Sequence, residues 1–222
     1  HRRPEGAAFA DFMERFGFPV DDYDEAWRFE GEADAFPVGR GDDRSWIFTW
    51  GFRSDPQVAD WLEEEVIEQS VHRYRLGDPK YYHGDCVLCE LGGPLLGWPG
   101  GLEGASAERL RGDFGERLVE LPDEDGEAFI GNSFYVETTS DRVLFAPREI
   151  SDRTRSKVEE RGVAVVPIDI WEGFCKGGGG AKRMVFNLGP VARDEPGLTD
   201  AQRAFRKERH VEALRDSDYF PA

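Results

Sequence analysis

The chain has 222 residues, with 45 Asp and Glu against 28 Lys and Arg, a formal net charge of −17 and a pI near 4.7. At 39 % hydrophobic and 13 % aromatic it is too apolar for an acidic disordered tail, and the length suits one substantial domain. The charge excludes broad contact with a phosphate backbone, and no run reaches the ~20 apolar residues of a spanning helix. His1-Arg2-Arg3-Pro4 lacks the apolar core of a signal peptide, so an intracellular protein of the cytoplasm or an organelle matrix, soluble or peripheral in a complex, is expected, with no nucleic acid as partner.

Residues 6 to 20 read as a helix and a following strand, Ala7-Ala8-Phe9 through Phe12-Met13 to Phe16-Gly17, with no strands ahead of them. From Trp46 the chain runs strand (Trp46 to Trp50), helix (opened by Ser54-Asp55-Pro56, to about Glu68), strand (Val71 to Leu76). The order returns. Cys86 to Leu91 and Pro94 to Trp98 form a strand pair, Ser106 to Phe114 a helix with a Ser cap, and Arg117 to Leu121 a strand. It returns again as Ser133 to Val136, Arg142 to Ala146, a helix from Ser151 to Arg161 closed by Gly162, and the strand Val163 to Ile168.

Such strand-strand-helix-strand units, with a period of roughly 40 to 50 residues, cannot bury their apolar faces alone. They predict an α/β propeller whose N-terminal unit is incomplete and whose open sheet edges invite pairing with another chain. Lys182 to Leu188 reads as one more strand. Asp200 to Leu214 reads as an Arg- and Glu-rich helix outside the repeat, either solvated or a docking segment. The expected division is a repeat domain over 1–189 and an extension over 190–222.

Only five of the basic residues are Lys (80, 157, 176, 182 and 207). Codon bias or a salty habitat accounts for the carboxylate-rich surface, and a carboxylate-lined cleft would also concentrate a cationic ligand. Cysteines stand at 86, 89 and 175. Their odd number does not make a disulfide framework, and the Cys86-Val87-Leu88-Cys89 spacing has no second Cys or His pair to complete a zinc site. They read as structural thiols in apolar strands, with no metal or cofactor expected.

Three stretches join polar residues to tight turns: Phe29-Glu30-Gly31-Glu32-Ala33-Asp34, Tyr81-Tyr82-His83-Gly84-Asp85, and Gly177-Gly178-Gly179-Gly180-Ala181-Lys182-Arg183. A His two residues from an Asp suits general acid and base work beside a cation-holding carboxylate, with Glu32 to orient the imidazole. The same pattern also occurs as a packing feature, and a glycine run as a plain turn.

Together and in this order they resemble the amidinotransferase and dimethylarginine dimethylaminohydrolase family of the pentein fold. The first stretch is similar to that family's Phe-Glu-Gly-Glu-Gly-Asp, with Ala33 in place of a Gly. Tyr82-His83-Gly84-Asp85 is similar to its Tyr-His-Leu-Asp, and Trp98-Pro99-Gly100 to its Tyr-Pro-Gly. Gly131-Asn132 is similar to its Asn region, and the glycine run to its Gly-Gly-Gly-Ala-Lys-Cys.

The resemblance implies that carboxylates hold a guanidinium while a Cys thiolate attacks its central carbon, with a His as acid and base. It assigns His83 and Glu32 to the catalytic group and Asp34, Asp85 and Asn132 to substrate binding. The nucleophile's position is Arg183, a cation that cannot replace a thiolate but could reach Asp85 or Glu32 as a built-in substrate mimic. A degenerate, inactive member serving as a structural or interaction subunit of a larger assembly is therefore expected, with other protein chains as partners and a guanidino compound as a second candidate ligand. The alternative is an active amidinohydrolase or amidinotransferase on arginine-like compounds.

Overall fold

The structure, a computed structural model, describes residues 3–20, 26–67, 69–138, 140–185 and 197–208. Among them are three three-stranded sheets with one shared plan: an antiparallel pair, then a helix or helical turn, then a third strand parallel to the second. The first sheet holds β1 (Ala35–Val38), β2 (Ser45–Trp50) and β3 (Val71–Arg75), with α2 (Val58–Trp61) and the π-turn Leu62–Val66 between the last two. The second holds β4 (Leu88–Glu90), β5 (Leu95–Gly97) and, beyond α3 (Gly104–Phe114), β6 (Leu118–Glu120). The third holds β7 (Phe134–Glu137), β8 (Arg142–Pro147) and, beyond α5 (Asp152–Glu159), β9 (Ala164–Ile168). The short α4 (Asp123–Glu127) links the second sheet to the third. The fold is mixed α/β, as the repeated pattern predicts.

The first repeat is fuller than its sequence suggests. β1 pairs antiparallel with β2, yet it has four residues, one of them Pro37, which lacks an N–H for the ladder and hides the strand from a pattern reading. The helix expected over 54–68 is a single α-turn passing into a π-turn, in keeping with the run Glu63-Glu64-Glu65 that offers little apolar periodicity. Ser106 is no N-cap: α3 opens two residues earlier, and its hydroxyl accepts the Arg75 backbone N–H at 2.9 Å, tying α3 to β3. Ser151 does cap α5 through the Thr154 N–H, and Asp125 in turn accepts from the Ser151 hydroxyl and N–H.

The main core joins apolar side chains of all three sheets, including Ile47, Tyr74, Leu88, Leu95, Leu96, Leu110, Ile130, Leu144 and Val165. Residues 25–186 form one compact unit, and 1–24 with 187–222 form another. In the second unit the helix α1 (Arg3–Phe16) packs Phe12 and Phe16 against Phe205 of α6 (Asp200–Glu208), while the Arg206 Nε donates to the Phe16 carbonyl at 2.6 Å. The strand expected after this helix is absent from residues 17–20. Gly17, at φ +97°, ends α1 with the Phe18 N–H returned to the Met13 carbonyl, a Schellman closure that turns the chain away. At the other side the strand expected over 182–188 is, as far as residue 185, a 3-10 turn at Ala181–Met184, and 186–188 lie outside the described residues. Asp200 to Glu208 is helical as expected, and 209–214 lie outside them. No helix among the described residues is long and apolar enough to cross a membrane.

Candidate functional site

The polar residues singled out above precede the first strand of each sheet: Glu30 to Asp34 lead into β1, His83 to Cys86 into β4, and Gly131 with Asn132 into β7. Equivalent positions of three repeats thus meet at one place. The anchor is Asp34, 0 % exposed. Its Oδ1 accepts from the Thr49 hydroxyl at 2.8 Å and the Gly84 N–H at 2.9 Å, and its Oδ2 from the Ser54 hydroxyl at 2.6 Å. The remaining contact is the His83 Nδ1, 3.0 Å from Oδ2. A buried carboxylate so fully occupied holds the ring in place.

The other ring nitrogen, Nε2, lies 3.0 Å from Glu30 Oε2. With Asp34 at Nδ1, a proton on Nε2 can pass toward Glu30 or toward a ligand, the arrangement an acid–base residue requires. Glu30 therefore occupies the place expected for Glu32. The Glu32 side chain instead pairs with Lys182. The 3-10 turn Gly31–Ala33 explains the exchange, since it brings residues 30 and 34 round to one imidazole while residue 32 points elsewhere.

Asn132 is also 0 % exposed. Its Nδ2 donates to the Asp85 carbonyl at 2.7 Å and its Oδ1 accepts from the Gly180 N–H at 2.6 Å. It clips the His83 loop to the glycine run. Gly180 itself has no room for a side chain, because a Cβ would meet the Asn132 carbonyl oxygen at 2.6 Å. Asp85 is buried at 8 % exposure. Burial raises its carboxyl to about 6, against the pull of the His83 and Arg183 charges.

Arg183 reaches neither Asp85 nor Glu32: among the described residues no carboxylate comes within ion-pair distance of it. Its side chain lies over the bare Cα of Gly179, its guanidinium stands 4.9 Å from the Tyr82 ring centroid, and Nη2 is 4.0 Å from Cys86 Sγ. The self-paired pocket expected from sequence is thus replaced by stacking on an aromatic ring, a contact open to any guanidinium. Sequence reasoning also missed Arg53, which sits 4.8 Å over the same ring and donates to Glu30 Oε1 at 3.1 Å. Nothing in the sequence around Arg53, Thr49 or Ser54 marked them, since only folding sets them beside the site.

The three thiols are buried and free. Burial pushes Cys86 and Cys89 up to about 12 and Cys175 to about 11, with Asp85 adding to the effect at Cys86.

No family model matches the chain. It is 28 % identical over 219 residues to the bifunctional arginine dihydrolase/ornithine cyclodeaminase ArgZ of Synechocystis sp., spanning 95 % of this chain and 29 % of that protein. The N-terminal domain of the cyanobacterial arginine dihydrolase ArgZ, a cysteine-to-serine variant bound to substrate, superposes with a TM-score of 0.70 at 26 % identity, over 81 % of this chain and 64 % of that one. The unliganded protein AgrE gives 0.74 at 28 %, over 87 % and 28 %.

The chain resembles ArgZ and AgrE in sequence and in fold. A dimethylarginine dimethylaminohydrolase from Pseudomonas aeruginosa shares this pentein fold at TM-score 0.56 and 23 % identity, over 77 % of this chain and 61 % of that one. The chain spans under a third of the curated pentein it matches.

Proposed function

We propose that this pentein performs no covalent turnover and acts as an interaction or structural subunit, its three repeats forming part of a propeller-like body. The observation that carries the reading is the charge beside the site's thiol. A guanidinium, Arg183, follows Ala181-Lys182, and the sulfur next to it, Cys86, is buried and pushed up to about 12. At pH 7 a thiol of that kind is ionised on the order of one part in 10⁵, too little to attack a guanidinium carbon usefully. An ArgZ domain was captured covalently bound to a reaction intermediate, and a cysteine-to-serine variant holds substrate. The reading takes this chain to keep such a scaffold without the bond-forming step.

The second reading, an active hydrolase or transferase on arginine-like compounds, draws on the Glu30, His83 and Asp34 array, which is complete as acid–base machinery. Incubation with L-arginine, agmatine or dimethylarginine, followed by assay for citrulline, urea and ammonia, separates the two. The expected result is no product. Turnover abolished by His83→Ala would establish the second reading. Arg183→Cys supplies the positive control, and the variant should gain a mass adduct with agmatine that the parent chain does not form.

A further inference from the structure

The first sheet carries a cleft that the His83 array does not use. Alternation along β2 and β3 turns Trp46, Phe48 and Trp50, with Val71 and Arg73, to one face of the sheet. The chain covers that face with the four-residue α2 and a π-turn, whereas the other two repeats build helices of eleven and eight residues. So short a cover leaves a cleft of about 310 Å³, lined by Trp50, Pro56, Gln57, Ala59, Asp60 and Arg73. That volume is at the lower end of the roughly 300 to 1,000 Å³ of small-molecule sites.

One wall is apolar: Pro56, Ala59 and the Trp50 indole, which is stacked on buried Phe48 with the ring centroids 6.4 Å apart. The other is charged. Arg73 Nη1 donates to Asp60 Oδ1 at 2.6 Å, and Nη2 donates to Glu63. Neither group is used up, since a guanidinium has five N–H donors and Asp60 Oδ2 accepts from no donor among the described residues. The Asp60 side chain is 64 % exposed, so water already screens this pair and its rearrangement costs little.

We infer that the cleft is a site for a small zwitterion with an apolar side chain, an apolar α-amino acid, with its ammonium on Asp60, its carboxylate on Arg73 and its side chain on Trp50. An ammonium and a carboxylate borne by one carbon lie side by side, as the guanidinium and carboxylate of the wall do, so each charge of the ligand meets its opposite. A simple amine gains only the Asp60 contact. A simple acid gains only the Arg73 contact and is repelled by Asp60 and Glu63.

The inference concerns recognition and stands whether or not the chain turns over substrate, because among the described residues none of the cleft's side chains bonds to Glu30, Asp34 or His83. Calorimetric titration of the full chain with L-phenylalanine, phenethylamine, phenylacetate and glycine tests it. L-Phenylalanine should bind, and each of the other three should bind at least tenfold more weakly, for want of a carboxylate, an ammonium or a side chain in turn. D60N and R73Q should each weaken L-phenylalanine at least tenfold, with thermal melts to check that both variants are folded. No binding of L-phenylalanine at millimolar concentration, an analogue that binds as tightly as it does, or an affinity unchanged in D60N or R73Q would overturn the proposal.

Discussion

The buried carboxyl of Asp85 gives a stability prediction with a definite sign. Its folded value is raised from 3.8 to about 6, chiefly by burial. As pH rises through this window the unfolded chain releases the proton first, so the folded state holds more protons and stability falls with pH. The loss starts near pH 4, is complete above about pH 6, and amounts to about 3 kcal/mol at 1.36 kcal/mol per unit. Asp85→Asn keeps the shape and the carbonyl that accepts from Asn132, and removes the charge. The variant should gain up to about 3 kcal/mol at pH 7.5 and nothing at pH 4, a figure in which the favourable charges of His83 and Arg183 are already counted. For a domain of this size that is an upper limit of about 6 to 12 °C in Tm. Urea denaturation of both proteins at pH 4 and pH 7.5 measures it. A difference independent of pH, or an Asn variant less stable at pH 7.5, would refute the account of a carboxylate held against its solvation.

Other outcomes follow from the same contacts. Asn132→Ala strands the Asp85 carbonyl and the Gly180 N–H without their partner, so urea denaturation should show a loss of about 2 to 5 kcal/mol. Gly131→Ala would set a Cβ 2.7 Å from the Cys86 carbonyl oxygen, a backbone atom that cannot yield, and should cost more than 1 kcal/mol. Gly112→Ala, in the exposed interior of α3 with nothing within 4 Å, should add about 0.5 to 1 kcal/mol in the same assay. The native thiols should resist iodoacetamide at pH 7.5 and react fully only in denaturant, because all three are buried and raised to about 11 or 12. Rapid native labelling of Cys86 would contradict this and strengthen the case for catalysis.

The repeat was legible because its apolar runs and helix signals recur in order, and the second and third sheets follow the expected strands to within a few residues. What escaped was set by contacts distant in sequence. β1 was hidden by Pro37 and its brevity, and α1 was read as leading into a strand although Phe12 and Phe16 find their partner about 190 residues away in Phe205. At the site, His83 and the acidic stretch were visible as residue types, but which carboxylate meets the imidazole depended on a single 3-10 turn that exchanges Glu32 for Glu30. Asp34 and Asn132 look like ligands for substrate in one dimension. In three they bond to neighbours whose proximity only folding sets, Ser54 and Gly180 among them.

Because each sheet supplies its contribution through the short segment just ahead of its first strand, the pocket's walls are independent inserts on a common frame. An exchange at residue 183 leaves the clasp between Asn132 and Gly180 untouched, along with the Asp34 anchor. Chemistry in such a molecule can be withdrawn or redirected one insert at a time, while the architecture that carries it persists.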